Sequence, residues 1–380
     1  MRPEHLNARN ATPKKYYILF KNMVFDIKVW TNKEIMTITT VKIARFHQTG
    51  GPEVIQLENM PLPEPGKGEV RLRVQAIGLN RAEVMYRKGK YLVQPQLPSK
   101  LGYEAAGIVE AIGPGVDQKL LNKKYSTVPC FDLNQYGVYG EVAIVPAYAL
   151  AAYPEQLTPI EATSIWMQYL TAYGALVHYG QITKDDFVVI TAASSSVGIA
   201  AIEITKAQGA VSIATTRTAK KKPALLALGA DHVIVTEEED LPLRVKEITA
   251  GKGARIIFDP VAGKSLESLA AAAEAGGTIF IYGGLSSEPT PFPLFTALSK
   301  GLSIRGYTLF EVVLIPALRA KAEKYVFDHL QMGTFKPKIA HIFTLDQIVD
   351  AHRYMESNEQ IGKIVVTVPD SNFTPRLCTV

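Results

Sequence analysis

Between positions 187 and 306 the sequence alternates six short, β-prone runs with helical stretches, and this alternation constrains the fold more than any other feature of the chain. The runs cover 187–192, 211–215, 232–235, 256–259, 278–282 and 302–306. Between the first two, residues 196–208 place Val197, Ala200, Ala201, Ile204 and Ala207 on one helical face. Residues 222–228 run into Gly229, a helix stop signal, and the Ala-rich stretch 266–275 runs into Gly276 and Gly277. Strands alternating with helices imply right-handed crossovers and a parallel sheet with helices on both faces. Six strands is the count of the doubly wound, dinucleotide-binding architecture.

The text before this segment has a different rhythm. From Thr39 to about Thr158 it is strand-rich, with VKIARF, EVRLRVQAIGL and AAGIVEAIG separated by the breakers PLPEPGKGE and GPGVD. Such spacing predicts a closed or sandwich-like β domain. After Phe310 two helical stretches, 311–331 and 345–356, precede a last strand at 362–368. The six-strand sheet is by then complete, so this tail is expected to return to the first domain. The expected division is 36–160 plus 311–380 for one domain and 161–310 for the other. Residues 1–35 read as an extension outside that body, non-native or disordered, because MTITTVKIARF from Met36 reads like a fresh start.

The chain carries a net charge of +5 over 380 residues. Residues 1–35 hold seven Lys or Arg and three acids, which leaves 34 basic and 33 acidic side chains, a net of +1, in the remainder. A near-neutral body offers no footprint for a nucleic-acid partner. Two cysteines, Cys130 and Cys378, exclude a disulfide framework and a Cys-rich zinc lobe, and suit a reducing, cytoplasmic setting. No apolar run reaches the roughly 18 residues a membrane span needs, so no membrane association is expected.

The turn after the first parallel strand reads Ala192, Ala193, Ser194, Ser195, Ser196, Val197, Gly198. Small residues there let backbone approach a pyrophosphate, and the following helix offers unpaired N–H groups and positive potential. Ser196 stands where a glycine is usual. At the end of the second strand an acid would bond the ribose 2′-hydroxyl of NAD. Instead Thr215, Thr216, Arg217 and Thr218 precede Lys220, Lys221 and Lys222, with no acid from 214 to 222. Arg217 with Lys221 suits a 2′-phosphate, so the expected cofactor is NADPH.

The motifs GLNRAEVMYRKGKY at 78–91, LGYEAAGIVEAIGPGV at 101–116, QYLTAYGAL at 168–176, TAASSSVGIAAIEITKAQGA at 191–210 and IGKIVVTV at 361–368 occur together and in this order. On these residues the chain resembles the zinc-independent, quinone oxidoreductase-like branch of the medium-chain dehydrogenase/reductase family. The resemblance implies an α/β fold, with a Rossmann doubly wound parallel sheet inserted into a GroES-like β domain. Zinc members of that family use a Cys, a His in a Gly-His-Glu triplet and a further Cys or carboxylate. Here Asn80 takes the first place and Tyr103, in Gly102-Tyr103-Glu104, the second, so no metal is expected.

By the same resemblance the catalytic candidates are Asn80, Glu83, Tyr86 and Tyr91, with Asn80 and Tyr91 as the donors or substrate-orienting pair. The cofactor candidates are Thr171, Ser194, Ser195, Ser196, Val197, Gly198, Thr216, Arg217, Lys221, Gly283, Gly284, Arg305 and Lys363. The expected reaction is NADPH-dependent, metal-independent reduction of quinones or α,β-unsaturated carbonyls, in which charge developing on a carbonyl oxygen needs hydrogen-bond donors. Two alternatives stand beside it: an NADPH-binding structural or regulatory protein with little turnover, and a thioester enoyl reductase. A homodimer is expected through the 302–306 strand, which would lie at a sheet edge.

Overall fold

The computed structural model describes residues 39–369 in full and the backbone of 14–20, 23–29, 36–38 and 375–378. It divides into two compact units, 1–40 with 373–380, and 41–372. In the first, Lys14–Phe20 and Met23–Val29 pair as an antiparallel hairpin, and Met36–Thr39 pair antiparallel with Pro375–Cys378. The rest of the 1–35 segment, whose character was an expectation from sequence, lies outside the described residues.

In the second unit the six parallel strands are Phe187–Ile190, Val211–Thr216, His232–Val235, Ala254–Asp259, Ala273–Ile281 and Ser303–Gly306. Their spatial order, with strands numbered in sequence within this sheet, is 3-2-1-4-5-6, the doubly wound order. Alternate residues face opposite layers. Val189, Ile213, Ile257 and Ile279 pack with Val245, Leu266 and Leu269. Val188, Ile190, Phe258 and Phe280 belong to the larger core with Ala200, Ala201 and Ile204. Burial on both faces is why these strands read as continuous apolar runs.

Two helix boundaries differ from the sequence expectation. The stretch read as one helix over 266–275 is helical only as Ser265–Ala272. Ala273 is already extended, and the next strand begins there through an irregular register against Ala254. The stretch 311–331 is broken into Phe310–Val313 and Pro316–Gln331. Ile315 adopts φ −103° and ψ 104° because the ring of Pro316 disfavours helical backbone in the residue before it.

The other sheet is mainly antiparallel. Its order is Leu150–Ala151, Lys124–Thr127, Glu104–Ile112, Glu69–Gly78, Lys363–Thr367 and Ile339–Thr344, with Val142–Pro146 also on Glu69–Gly78. Two strands from beyond residue 330 therefore complete a sheet begun near residue 69. The register matters for function: Gly78 at the end of its strand pairs with Glu104 on one side and Val365 on the other. The end of one strand and the starts of its two neighbours thus meet at one rim.

Candidate active site

At that rim the chain leaves the Glu69–Gly78 strand and enters the helix Arg81–Arg87 through Asn80. Asn80 is extended, with φ −130° and ψ 154°, the conformation of a helix N-cap. Glu83, at the third helical position, accepts the Asn80 backbone N–H at 2.6 Å, as in a capping box. The same carboxylate accepts the Tyr103 N–H at 3.1 Å and the Asn80 Nδ2 at 3.2 Å. Opposite, Lys363 Nζ donates to Glu104 Oε2 and to Asn80 Oδ1, each at 2.5 Å. Glu104 also accepts Asn80 Nδ2 at 3.2 Å and, through Oε1, the Met167 N–H at 2.8 Å.

Two carboxylates, one amide and one ammonium are thus packed where no water reaches: Glu83 is 0% exposed, and Glu104 and Lys363 are each 1%. Gly78 makes this possible. A Cβ there would meet the Thr163 carbonyl oxygen at 2.1 Å and Lys363 Cε at 2.8 Å, so only glycine lets the lysine stem lie across the strand. Burial holds the Glu83 carboxyl well above its ordinary value, at about 7, although the Lys363 charge and the hydrogen bonds pull it down. Tyr91, only half-buried, shares a hydrogen bond with Tyr103 and feels the Glu83 charge. Burial and the Glu83 charge push its phenol up to about 12, and its hydrogen bond with Tyr103 works the other way. Tyr91 is therefore a protonated donor at neutral pH. Tyr103 is buried against Phe131 and Phe310, with ring centroids 5.6 and 6.2 Å away.

The fourth catalytic candidate, Tyr86, lies elsewhere. Its hydroxyl bonds Ser99 Oγ at 2.7 Å and Asn134 Oδ1 at 2.8 Å, and its ring packs edge-on to Phe46. Asn80 spends its amide on Glu83, Glu104, Lys363 and the Gly78 carbonyl. It is placed to organise the cluster rather than to reach outward. Lys363, read from sequence as a cofactor residue, is sealed inside the same cluster. Sequence reasoning passed over Glu104, which stood in plain view as the last residue of the Gly102-Tyr103-Glu104 triplet.

The nucleotide-type loop is built as its small residues require. Ala192 has φ 44°, a left-handed turn. Ser195 caps the helix Ser196–Ala207, its Oγ accepting the Gly198 N–H at 3.0 Å. A Cβ on Gly198 would lie 2.6 Å from Ala193 Cα and O, so the close helix–strand approach depends on that glycine. Ser194, Ser196 and Val197 line the turn, partly exposed. The loop is tied to the opposite lobe: Gly362 donates its N–H to the Ser194 carbonyl at 2.9 Å. Lys221 Nζ bridges Ser194 Oγ at 3.2 Å and the carbonyls of Asn358 at 2.7 Å and Gln360 at 3.0 Å.

Arg217, exposed just past the Val211–Thr216 strand, makes no ion pair among the described residues. Its charge, after burial, is the next cause holding Lys221 below the usual lysine value. Thr216 is buried and donates to the Thr218 carbonyl. Thr171 is buried and donates its hydroxyl to the Met167 carbonyl, one turn back on the helix Trp166–Tyr173. Gly283 packs closely on Pro260, while Gly284 faces open space. Arg305 is turned to Glu311 and lies 3.7 Å over the Tyr179 ring.

Residues 66–155 match the alcohol dehydrogenase GroES-like domain and residues 196–323 the zinc-binding dehydrogenase domain. The 2-haloacrylate reductase of a Burkholderia species is 30% identical over 86% of this chain and 98% of its own length. Quinone oxidoreductase 1 of Escherichia coli is 31% identical over 83% of this chain and 96% of its own. The crystal structure of Escherichia coli quinone oxidoreductase complexed with NADPH superposes with a TM-score of 0.80 at 30% identity, covering 86% of this chain and 99% of that one. The chain belongs to the zinc-independent, quinone oxidoreductase-like medium-chain dehydrogenase/reductase family, and its fold is a Rossmann sheet inserted into a GroES-like domain.

The residues at the family's metal position do not fit zinc. Asn80 and Tyr103 are poor ligands for it, and the carboxylate beside them already holds an ammonium at 2.5 Å, where a divalent ion would be repelled. No group of three or more His, Cys, Asp or Glu side chains suited to a metal occurs among the described residues.

Proposed function

We propose that this protein is an NADPH-dependent oxidoreductase that reduces quinones or α,β-unsaturated carbonyls without a metal. The carrying observation is the buried Lys363–Glu104–Asn80–Glu83 cluster at the family's metal position, with the partly exposed Tyr91, hydrogen-bonded to Tyr103, within reach of the Glu83 charge. The nucleotide loop fits the cofactor: the turn from Ser194 to Val197 offers small side chains and the start of the Ser196–Ala207 helix to a pyrophosphate, and the exposed Arg217 suits a 2′-phosphate. When bound, the reduced nicotinamide would supply a hydride to the β-carbon of an enone or to a quinone.

The chain's own part is to meet the charge that then appears on the substrate oxygen. Lys363 is too deeply buried and too fully engaged to do so. Tyr91 is protonated and partly open, so it donates a hydrogen bond to that oxygen and stabilises the enolate-like state. Glu83 and Asn80 hold the start of the helix that leads to Tyr91. The apolar rings of Phe131, Phe310 and Tyr103 exclude water beside it.

We assign 36–160 plus 311–380 to the GroES-like catalytic domain and 161–310 to the nucleotide-binding domain. We also assign a homodimer to the Ser303–Gly306 edge strand. Beside it the helix Leu294–Lys300 carries Phe295 at 82% and Leu298 at 69% exposure, an apolar patch at an unpaired sheet edge. No described helix is long and apolar enough to cross a membrane.

The deciding experiment is steady-state NADPH oxidation with 9,10-phenanthrenequinone, simple enones and thioester enones. Turnover of the first two supports the reading. Exclusive turnover of thioesters makes the protein an enoyl reductase, and tight NADPH binding with no turnover makes it a structural or regulatory binder. Light scattering checks the dimer.

A further inference from the structure

Ser194, in the nucleotide turn, is held from two sides. Its carbonyl accepts the Gly362 N–H at 2.9 Å, and its hydroxyl accepts from Lys221 Nζ at 3.2 Å. Gly362 belongs to the short strip that joins the helix Ile348–Ser357 to the strand Lys363–Thr367. Lys221 spends its other two donors on the same strip, on the carbonyls of Asn358 at 2.7 Å and Gln360 at 3.0 Å. All three ammonium protons are thus matched, each by a neutral oxygen.

Asn358 extends this strap to the active site. It closes the Ile348–Ser357 helix in the left-handed region, with φ 59° and ψ 21°, where a glycine would sit without strain. Asparagine adds a side-chain oxygen, to which Arg81 Nη2 donates at 2.5 Å. The same Nη2 donates to the Met355 carbonyl at 2.8 Å. Arg81 is the first residue of the helix that follows Asn80. Asn358 therefore receives the cation beside the nucleotide turn on its carbonyl, and the cation at the head of the active-site helix on its side chain. Burial comes first among the causes that hold Lys221 below the usual lysine value; the Arg217 charge comes next, Lys220 adds to it and Glu359 opposes it. The carboxylate bearing on Arg81 is Glu356, which is already bonded to Arg87 and Lys88. A phosphate dianion on Arg217 would cancel the repulsion between Arg217 and Lys221 and so strengthen the three bonds of the ammonium. NADH carries the same pyrophosphate but lacks this charge.

We propose that Asn358 is a positioning residue that relays the 2′-phosphate of the cofactor, through Lys221 and Arg81, to the helix that carries the active-site cluster. The relay rests on the NADPH reading above. It adds that the phosphate steadies the Arg81–Arg87 helix as well as holding the cofactor, and its test needs no turnover.

Amide hydrogen exchange of the full chain is followed with no nucleotide, with saturating NADH and with saturating NADPH, beside titrations of both nucleotides. NADPH should slow exchange of the helix amides 84–88 about five-fold or more relative to NADH. Asn358→Gly keeps the left-handed turn and the carbonyl that Lys221 uses. It should abolish that difference while still binding NADPH in preference to NADH. Asn358→Asp, which still accepts from Arg81, should keep the difference. Arg81→Met breaks the same bond from the other side and serves if Asn358→Gly does not fold. A wild type that prefers NADPH but exchanges equally with both nucleotides overturns the relay and leaves the NADPH reading standing, as does a difference that survives in Asn358→Gly. A wild type that binds both nucleotides equally overturns both.

Discussion

Replacing Lys363 with methionine tests the central cluster directly. The methionine stem keeps the volume that Gly78 makes room for, and removes the charge. The loss is large because both partners of the Lys363–Glu104 pair are 1% exposed. Glu104 would keep only the Met167 N–H and Asn80 Nδ2, and Asn80 Oδ1 would lose its donor. Removing one member of a buried ion pair costs about 3–5 kcal/mol. At roughly 2–4 °C per kcal/mol, the melting temperature should fall on the order of 10 °C. Glu104→Gln in the same chain removes the stranded charge, and its amide oxygen can still accept from Met167. The double variant should therefore recover more than half of the loss, leaving about 1–2 kcal/mol for the unpaired Asn80 oxygen. Thermal and urea melts of the wild type, both single variants and the double variant at pH 8 give the cycle. A Lys363→Met protein within about 1 kcal/mol of wild type, or a double variant less stable than Lys363→Met alone, would refute the reasoning.

Glu83→Gln keeps the capping geometry and removes a titration. Because the folded value of about 7 lies above the ordinary 4.5, the native state holds this proton more tightly, and stability falls as pH rises from 4.5 through about 7. That difference amounts to about 3 kcal/mol. Melts from pH 4 to 8 should show a flatter profile in the variant, while Glu203, also raised to about 7 by burial, keeps part of the slope. Identical pH profiles would rule the assignment out. Arg217→Ala should weaken NADPH binding about 10-fold or more and leave NADH unchanged. Fluorescence titration decides it, and equal losses for both nucleotides speak against a 2′-phosphate contact. Gly198→Ala drives a Cβ to 2.6 Å from Ala193; nucleotide affinity should drop at least about ten-fold together with the melting temperature, and unchanged titrations would show that the turn can yield.

The parallel sheet was legible because its strands are buried on both faces. A run such as Phe187–Ile190 must be apolar at every position, and it stands out between polar turns. Helix ends were less legible, since a run of alanines from 270 to 273 suits helix and buried strand alike, and tertiary pairing with Ala254 decides for strand at Ala273. The site was legible in parts. The Ser195 cap, the Gly198 contact and Arg217 at the strand end are local, and spacing carries local geometry. Glu104 and Lys363 are 259 positions apart. Only the register that sets Gly78 opposite Glu104 and Val365 brings them together. Sequence alone therefore places Lys363 with the cofactor and Tyr86 with the catalytic set, whereas the Tyr86 hydroxyl is turned to Ser99 and Asn134.

That register also narrows the chemistry the cluster supports. A divalent ion at such a rim would bind a substrate oxygen directly and carry an alkoxide. An ammonium that is 1% exposed and bonded to both Asn80 and Glu104 has no approach to a substrate atom. Its charge is felt through its neighbours: it favours the ionised form of Glu83 against the effect of burial, and holds the Asn80 amide in place. The proposed donor is a neutral phenol, Tyr91, and one hydrogen bond stabilises an isolated alkoxide far less than a metal does. On the proposed reading such a site would favour substrates whose own conjugation spreads the developing charge, as enones and quinones do. A simple ketone lacks that help, so a turnover ratio strongly favouring enone over the matching saturated ketone follows from the burial of Lys363.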